Sequence, residues 1–420
     1  MVGSSSERVT IVGGGAAGAE CAARLRMADF AGEITILSAD VHPPYELPSL
    51  SKGYLSGASG YDEVLLRPVS AYTEHDIDLQ LNTRVKSIDT ARHEVRLDDG
   101  RVLSYSKLVL ATGGRPRPLL VPGAADSAHV FYLRTLNDAD RLRSVITPTS
   151  SIAVIGGGYL GLEVASVARS MGAAVTVLEG LPRLLSRVTS PPVSEFFARL
   201  HRTEGVDLRL EAKVERIEDT PDGRVTIHLG DDAPIRADLV FASIGLLPSV
   251  QLGIAAGLEA ENGIRVDEYG QTSVPDVYAA GDCTSHPDAQ DGGFRRLESL
   301  PNAMETAATV AASIVGNPAP YVAVPWFWSE QYDVKLQTVG VYKQGDDAVV
   351  RGDERSGEPF SVFYLRGGEV RAADVISSPR DFAAAKTLVA RRVAASAADL
   401  ADRRVPLKAL LRATAAVPSA

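Results

Sequence analysis

Two stretches of the chain, VTIVGGGAAGAECA at residues 9–22 and IAVIGGGYLGLEVA at residues 152–165, repeat one another almost position for position. Each is a short apolar run that enters three glycines in a G-x-G-x-x-G frame and continues into a helical pattern. The glycines are Gly13, Gly15 and Gly18 in the first copy and Gly156, Gly158 and Gly161 in the second. In such a frame the first glycine permits a tight turn and the second lets the backbone approach a pyrophosphate. The third brings helix close to strand, and the phosphates lie at the helix N-terminus. One copy is a weak signal. Two copies, each with a glutamate two places past the third glycine (Glu20 and Glu163), mark a duplicated dinucleotide-binding unit.

Bulk properties set the frame. The 420 residues suggest two to three domains, and 45% hydrophobic with 23% charged residues is ordinary for a globular protein with a large core. No apolar run is long enough to span a bilayer, and MVGSSSERVT at the start has no signal-like segment and reads as a short frayed lead. The expectation is a cytoplasmic protein without a membrane partner. A net charge of -10 disfavours nucleic acid as a partner. The two cysteines, Cys21 and Cys283, form no close pair, which fits a reducing compartment, and the scattered histidines predict no metal site. Residues 380–412 carry eight Lys or Arg against three Asp. This local excess fits a docking face for an acidic partner, or equally a solvated helix and tail.

The strand after each cradle bears on the ribose. Glu179 follows VTVL in the second copy, where a carboxylate accepts hydrogen bonds from both ribose hydroxyls and repels a 2′-phosphate, favouring NADH over NADPH. At about 4 Å and an effective dielectric near 20, each unit charge pair is worth about 4 kcal/mol, and a third of that is roughly tenfold in affinity. Arg183 and Arg187 follow closely and temper the argument. In the first copy Ser38 stands at the equivalent place, with Asp40 two residues on as the alternative ribose ligand. KLVLATGGRPRPL reads as a buried strand ending in a crossing, and DLVFASIGLLP repeats it. TSVPDVYAAGDC reads as a strand delivering Asp282 to a turn before a helix. From about Val324 alternating strands and the helix SPRDFAAAKTLVARRV predict a smaller third domain, with Ser378, Pro379 and Asp381 as cap, first residue and capping-box acid.

The double cradle, LVLATGGRPRPL, YLRTLNDA, TSVPDVYAAGDC, ESLPNAMETA, VPWFWSEQYDVKLQ and VPLKALL together resemble the putidaredoxin reductase family almost end to end. Those are FAD-containing, NADH-dependent ferredoxin reductases that feed bacterial haem monooxygenases and aromatic-ring dioxygenases. The resemblance implies a glutathione-reductase-like α/β flavoprotein with two Rossmann-type dinucleotide-binding domains and a smaller α+β C-terminal domain. The implied boundaries are 1–115 with 245–322 for FAD, 116–244 for NADH, and 323–420 for the C-terminal domain. It implies FAD and NADH as cofactors and a two-iron two-sulfur ferredoxin as partner.

Residue by residue, the resemblance assigns Gly13, Gly15, Ala17 and Gly18 to the FAD pyrophosphate, with Val85, Arg134, Asp282 and Leu300 as further FAD contacts. Asp40 at the ribose, unless other contacts hold that nucleotide, and Trp328 as a shield over the ring, or else a core residue, complete the expected FAD set. Gly156, Gly158, Tyr159, Leu160, Gly161 and Glu179 fall to NADH. Lys52 and Glu163 match a lysine–glutamate pair near the flavin N5 edge. The helix opening near Pro301 would aim its positive end at the flavin N1 region. Leu47, Ser49 and Ala39 depart from the family pattern in the loop before Lys52 and beside Asp40. Residues 40–54 lack the cysteines of related disulfide reductases and peroxidases, so electrons are expected to leave directly from the flavin. Arg67, Lys386 and Arg391 are the expected ferredoxin-docking residues. A competing reading is a redox-sensing flavoprotein resembling apoptosis-inducing factor; another, an NADH oxidase or peroxidase, is weakened by the missing cysteine.

Overall fold

The computed structural model describes residues 7–230, 232–288 and 290–413, so most of the N-terminal lead lies outside the described residues. The chain divides into two compact units, one of residues 1–49, 59–115 and 246–323, the other of residues 50–58, 116–245 and 324–420.

The first unit is built on a five-stranded parallel sheet in the order Val277–Ala279, Lys107–Leu110, Arg8–Val12, Glu33–Leu37, Ile77–Gln80. Its strands are nearly continuous apolar runs because both faces are covered. The alternation of strand side chains divides them between two cores. Ile11, Ile36 and Val109 join Ala19, Leu25, Ala307 and Val310 under the helices Ala16–Met27 and Leu300–Ile314. Val12, Leu37, Leu108 and Leu110 join Val85, Val95 and Leu97 from a small antiparallel sheet on the other side.

The second unit repeats this plan. Its parallel sheet runs in the order Asp207–Arg209, Ala174–Leu178, Ser151–Ile155, Leu239–Ala242, Val130–Phe131. A three-stranded antiparallel sheet, Val214–Asp219, Val225–Leu229 and Ile235–Ala237, again covers one side. The same unit holds the C-terminal five-stranded antiparallel sheet, ordered Trp326–Gln331, Val334–Gly340, Glu369–Ile376, Phe360–Arg366, Asp347–Arg351. Phe382, Ala385, Leu388 and Val389 on the helix Pro379–Ala390 pack into its core with Phe363 and Val375. The second and third expected domains thus lie in one compact unit, together with residues 50–58.

Two local expectations change. The helix at Pro379 begins as expected after Ser378, but Ser378 makes no side-chain cap hydrogen bond. Asp381 turns instead to Ser361, whose hydroxyl donates to it at 3.2 Å, and lies 3.7 Å from Arg351. Asp282 does reach a short turn, Gly281–Cys283, but a strand, Thr284–Pro287, follows it, and the helix starts only at Leu300. Thr284, Ser285 and His286 of that strand are all polar and all buried, so no apolar–polar alternation marks it in sequence.

One buried carboxylate ties the nucleotide-type half of the second unit to its C-terminal sheet. Asp374 accepts hydrogen bonds from the hydroxyls of Thr189 and Tyr364, and Tyr364 also meets Ser190 at 2.9 Å. Burial pushes the Asp374 carboxyl up to about 6 from 3.8, with the two hydroxyls opposing. The folded state therefore favours the neutral acid. Its contribution is complete below pH 3.8 and is lost as pH rises through about 6, a change of about 3 kcal/mol. Asp374→Asn is expected to flatten the fall in melting temperature between pH 4.5 and pH 7.5; an unchanged fall would show that another group causes it.

Candidate functional site

The two cradles are alike in atomic detail. Gly13 and Gly156 have φ of 123° and 108°, where a side chain is strained, and a Cβ there would lie 2.1 Å from Ala111 O and 2.2 Å from Ser243 O. A Cβ on Gly18 or Gly161 would lie 2.0 or 2.1 Å from the carbonyl of Gly13 or Gly156. No side chain fits at these four positions. Gly15 and Gly158 are the opposite case: each is the extended residue before its helix, makes no side-chain cap, and has open space where a Cβ would be. Both helix N-termini thus present backbone N–H groups and positive dipole ends beside open room. The arrangement fits a dinucleotide pyrophosphate at each.

Around the first cradle, Ala17 is buried in the first helical turn, and Gly281, at φ 79°, could not carry a Cβ without coming 2.9 Å from that of Ala17. Asp282 follows in the same turn and is partly exposed. Leu300 opens its helix after Ser299, whose hydroxyl accepts from the Asn302 N–H at 3.2 Å. Val85 begins a strand and is buried. Asp40 is held by the Tyr45 hydroxyl at 2.8 Å and the His42 N–H at 3.1 Å, while Ser38 is buried against Gly14.

Around the second cradle, Glu179 is clamped by two backbone donors, Gly157 N–H at 2.6 Å and Leu181 N–H at 2.8 Å. Its carboxylate therefore stays at the cradle with lone pairs to spare. Arg183 is engaged by Ser194 at 2.6 Å, whereas Arg187 is exposed. Leu160 is partly exposed, and Tyr159 lays its ring edge-on to Phe327 with centroids 4.3 Å apart. The Tyr159 hydroxyl is buried without a partner among the described residues, and burial with the charge of Asp374 raises its pKa. Arg134 precedes the capping box of the helix Leu136–Val145, its N–H reaching Asp138 at 3.1 Å. Trp328 stacks on Trp326 at 5.9 Å.

The second unit also assembles a buried ion pair. Lys52 lies between the 3-10 turn Leu47–Ser51 and the helix Gly53–Ser56, and its Nζ is 2.8 Å from Glu163 Oε2. The side chains are only 14% and 6% exposed. Ser51 donates to the same oxygen at 2.5 Å and Ser329 donates to Oε1 at 2.6 Å. Removing one partner of such a pair strands a buried charge, at a cost of about 3–5 kcal/mol. Sequence reading found Lys52 and Glu163 but missed both serines; Ser329 was readable as a polar residue at an inward position of a strand that opens with three aromatic residues.

Glu20, the first-copy counterpart, has different company. It is equally buried and is bridged by Arg24 at 2.6 Å and Arg67 at 2.5 Å. Burial pushes its carboxyl up, but the two arginines outweigh this and hold it below the usual range. Arg67 is therefore committed to an internal pair. Lys386 and Arg391 are exposed, with Lys386 Nζ 4.5 Å above the Trp326 ring.

The chain matches the model of the pyridine nucleotide-disulphide oxidoreductase family over residues 7–307 and that of the reductase C-terminal domain over residues 326–411. Putidaredoxin reductase of Pseudomonas putida is 42% identical, covering 98% of this chain and 98% of that protein. This chain belongs to the putidaredoxin reductase family of flavoprotein oxidoreductases. The 5,5′-dehydrodivanillate O-demethylase ferredoxin reductase subunit of a Sphingobium species is 43% identical, over 96% of this chain and 98% of that subunit. The solved covalent putidaredoxin reductase–putidaredoxin complex matches with a TM-score of 0.94 at 41% identity, covering 98% of this chain and 99% of the reductase-like chain. The fold and the use of FAD with a nicotinamide nucleotide follow from this membership.

Unlike the disulphide reductases that name the wider family, this member has no thiol chemistry at hand. Both of its cysteines are free and buried, and burial, with the charge of Glu20, pushes the Cys21 thiol up to about 12. Burial likewise raises Cys283. No group of His, Cys, Asp or Glu among the described residues could hold a metal, and no described helix is long and apolar enough to cross a membrane.

Glu179→Gln keeps an acceptor for one backbone donor while removing the charge. The ratio of kcat/KM for NADH over NADPH is expected to fall about tenfold; an unchanged ratio would place nucleotide choice elsewhere.

Proposed function

We propose that this enzyme is an NADH-dependent ferredoxin reductase of a bacterial oxygenase system. NADH and two oxidised two-iron two-sulfur ferredoxins give NAD⁺, two reduced ferredoxins and a proton, and the ferredoxin serves a haem monooxygenase or an aromatic-ring dioxygenase. The observation that carries this reading is the pair of matched cradles in a chain that is alike, over nearly its whole length, to ferredoxin reductases of such systems.

Bound FAD supplies the conversion between a hydride donor and one-electron acceptors. In this reading Gly13, Gly15, Ala17 and Gly18 hold its pyrophosphate, with Asp40, Val85, Arg134, Asp282, Leu300 and Trp328 as further contacts. Gly156, Gly158, Tyr159, Leu160, Gly161 and Glu179 receive NADH. Fixing the two dinucleotides on rigid strand–helix turns supplies the positioning that hydride transfer requires. Lys52 offers an ammonium to the redox-active edge of the flavin, and Glu163, held by Ser51 and Ser329, fixes where that ammonium points. No side chain acts as a nucleophile, in keeping with two buried thiols. Exposed Lys386 and Arg391 attract an acidic ferredoxin, which makes association salt-sensitive. Free cysteines suit a reducing, cytoplasmic setting.

The test is anaerobic. Enzyme reduced with NADH is mixed with oxidised two-iron ferredoxins and cluster reduction is followed optically. Fast, salt-sensitive reduction is expected, and Lys52→Met should slow flavin reduction by NADH at least tenfold. A reduced enzyme that ignores every ferredoxin tried, or is reoxidised only by oxygen, would overturn the reading.

A further inference from the structure

The support of Glu163 does not stop at Ser329. Gln331, two residues along the same strand and on the same face, donates from its amide nitrogen to Ser329 Oγ at 3.2 Å. The Gln331 oxygen lies 2.9 Å from His201 Nε2, and the Tyr332 hydroxyl lies 3.4 Å from His201 Nδ1. Glu163, Ser329, Gln331 and His201 are all buried, the last two completely. With the Gln331 nitrogen committed to Ser329, its oxygen can only accept, so His201 carries its proton on Nε2. Every link then points one way: Tyr332 to His201, His201 to Gln331, Gln331 to Ser329, and Ser329 to Glu163. Burial lowers the His201 pKa, with the Gln331 hydrogen bond opposing, which suits a neutral ring.

Tyr332 shows that the far end is built rather than incidental. It occupies the two-residue turn between the strands Trp326–Gln331 and Val334–Gly340 with φ 56°, a conformation bulky residues rarely adopt. Its ring sits against His201 with centroids 5.3 Å apart. A glycine or asparagine would fit that backbone without strain but would reach nothing.

We propose that Tyr332, His201, Gln331 and Ser329 form a one-way hydrogen-bond relay that orients the Glu163 carboxylate and, through it, Lys52, making His201 a positioning residue for flavin reduction. The inference rests on the reading of Lys52 and Glu163 as the pair that works beside the flavin. The relay keeps a donor on Oε1, so that Oε2 alone is left to the lysine and Ser51. Cutting it leaves the carboxylate less neutralised and more tightly drawn to Lys52, which weakens the positive charge presented to the reduced cofactor.

The experiment uses the holoenzyme and compares His201→Gln, Ser329→Ala, Lys52→Met and the double variant His201→Leu with Gln331→Leu. Replacing both partners of a buried hydrogen bond by apolar groups can be nearly neutral for folding, so the double variant separates packing from relay. It is expected to melt within a few degrees of the parent, yet to be reduced by NADH about tenfold more slowly and to show a lowered flavin midpoint potential. His201→Gln, which keeps an N–H toward Gln331, should recover most of the rate and the potential. Ser329→Ala, smaller by one oxygen, should reproduce the double variant's loss and decides the matter if that variant does not fold. Parent-like rate and potential in the cut variants, while Lys52→Met is slow, would overturn the relay alone. A parent-like Lys52→Met would overturn the reading on which it rests.

Discussion

A helix can lie against its strand-to-helix turn as closely as it does here only where the inward-facing residue of its first turn carries no side chain. A Cβ at Gly18 or Gly161 would meet a carbonyl oxygen at 2.0 or 2.1 Å, a contact that no rotamer relieves because the obstacle is backbone. That constraint fixes where each helix begins, and therefore where its uncapped N–H groups point. The open space beside Gly15 and Gly158 follows from it. So does the environment two residues later, about 200° around the helix from the third glycine. Glu20 and Glu163 are thereby turned away from their sheets, toward the side that each unit must cover by other means.

The covering differs, and with it the chemistry. In the first unit two arginines neutralise Glu20 and leave no part of its carboxylate idle. In the second, residues 50–58 and the strand Trp326–Gln331 bring one lysine and two hydroxyls to Glu163. Glu163 thus faces one cation where Glu20 faces two. A duplicated scaffold position has become a structural tie in one copy and a tunable pair in the other. Only the partners changed.

The cradles were legible in sequence because their geometry excludes side chains outright, and glycine is the only way to write that exclusion. The place of Glu179 at the second cradle was legible because it directly follows the strand beside that turn. Lys52 and Glu163 came through family resemblance rather than spacing, since residues 111 positions apart carry no local period that would join them. The pairing of Arg67 with Glu20 was hidden for the same reason, and it places one of the three expected docking cations in an ion pair. Asp381 misled because a capping-box pattern competes with tertiary partners, and Ser361 and Arg351 won that competition.

Ser329, Gln331 and His201 were missed although each breaks a local rule. Ser329 and Gln331 are polar residues at the inward positions of a strand whose other members are mostly aromatic. His201 falls on the apolar face of its helix with Val193, Phe197 and Ala198. A buried polar side chain carries a desolvation cost unless it is bonded, so three of them on facing elements imply a connected network. An amide in the middle of that network gives it a direction: the Ser329 hydroxyl gives its proton to Glu163, so the amide must turn its nitrogen to Ser329 and its oxygen to His201, and the histidine takes the tautomer that suits. Hydrophobic residues at 201 and 331 would hold the helix on the sheet equally well. What they could not do is hold the Ser329 hydroxyl, through the Gln331 amide, to one chosen oxygen of Glu163.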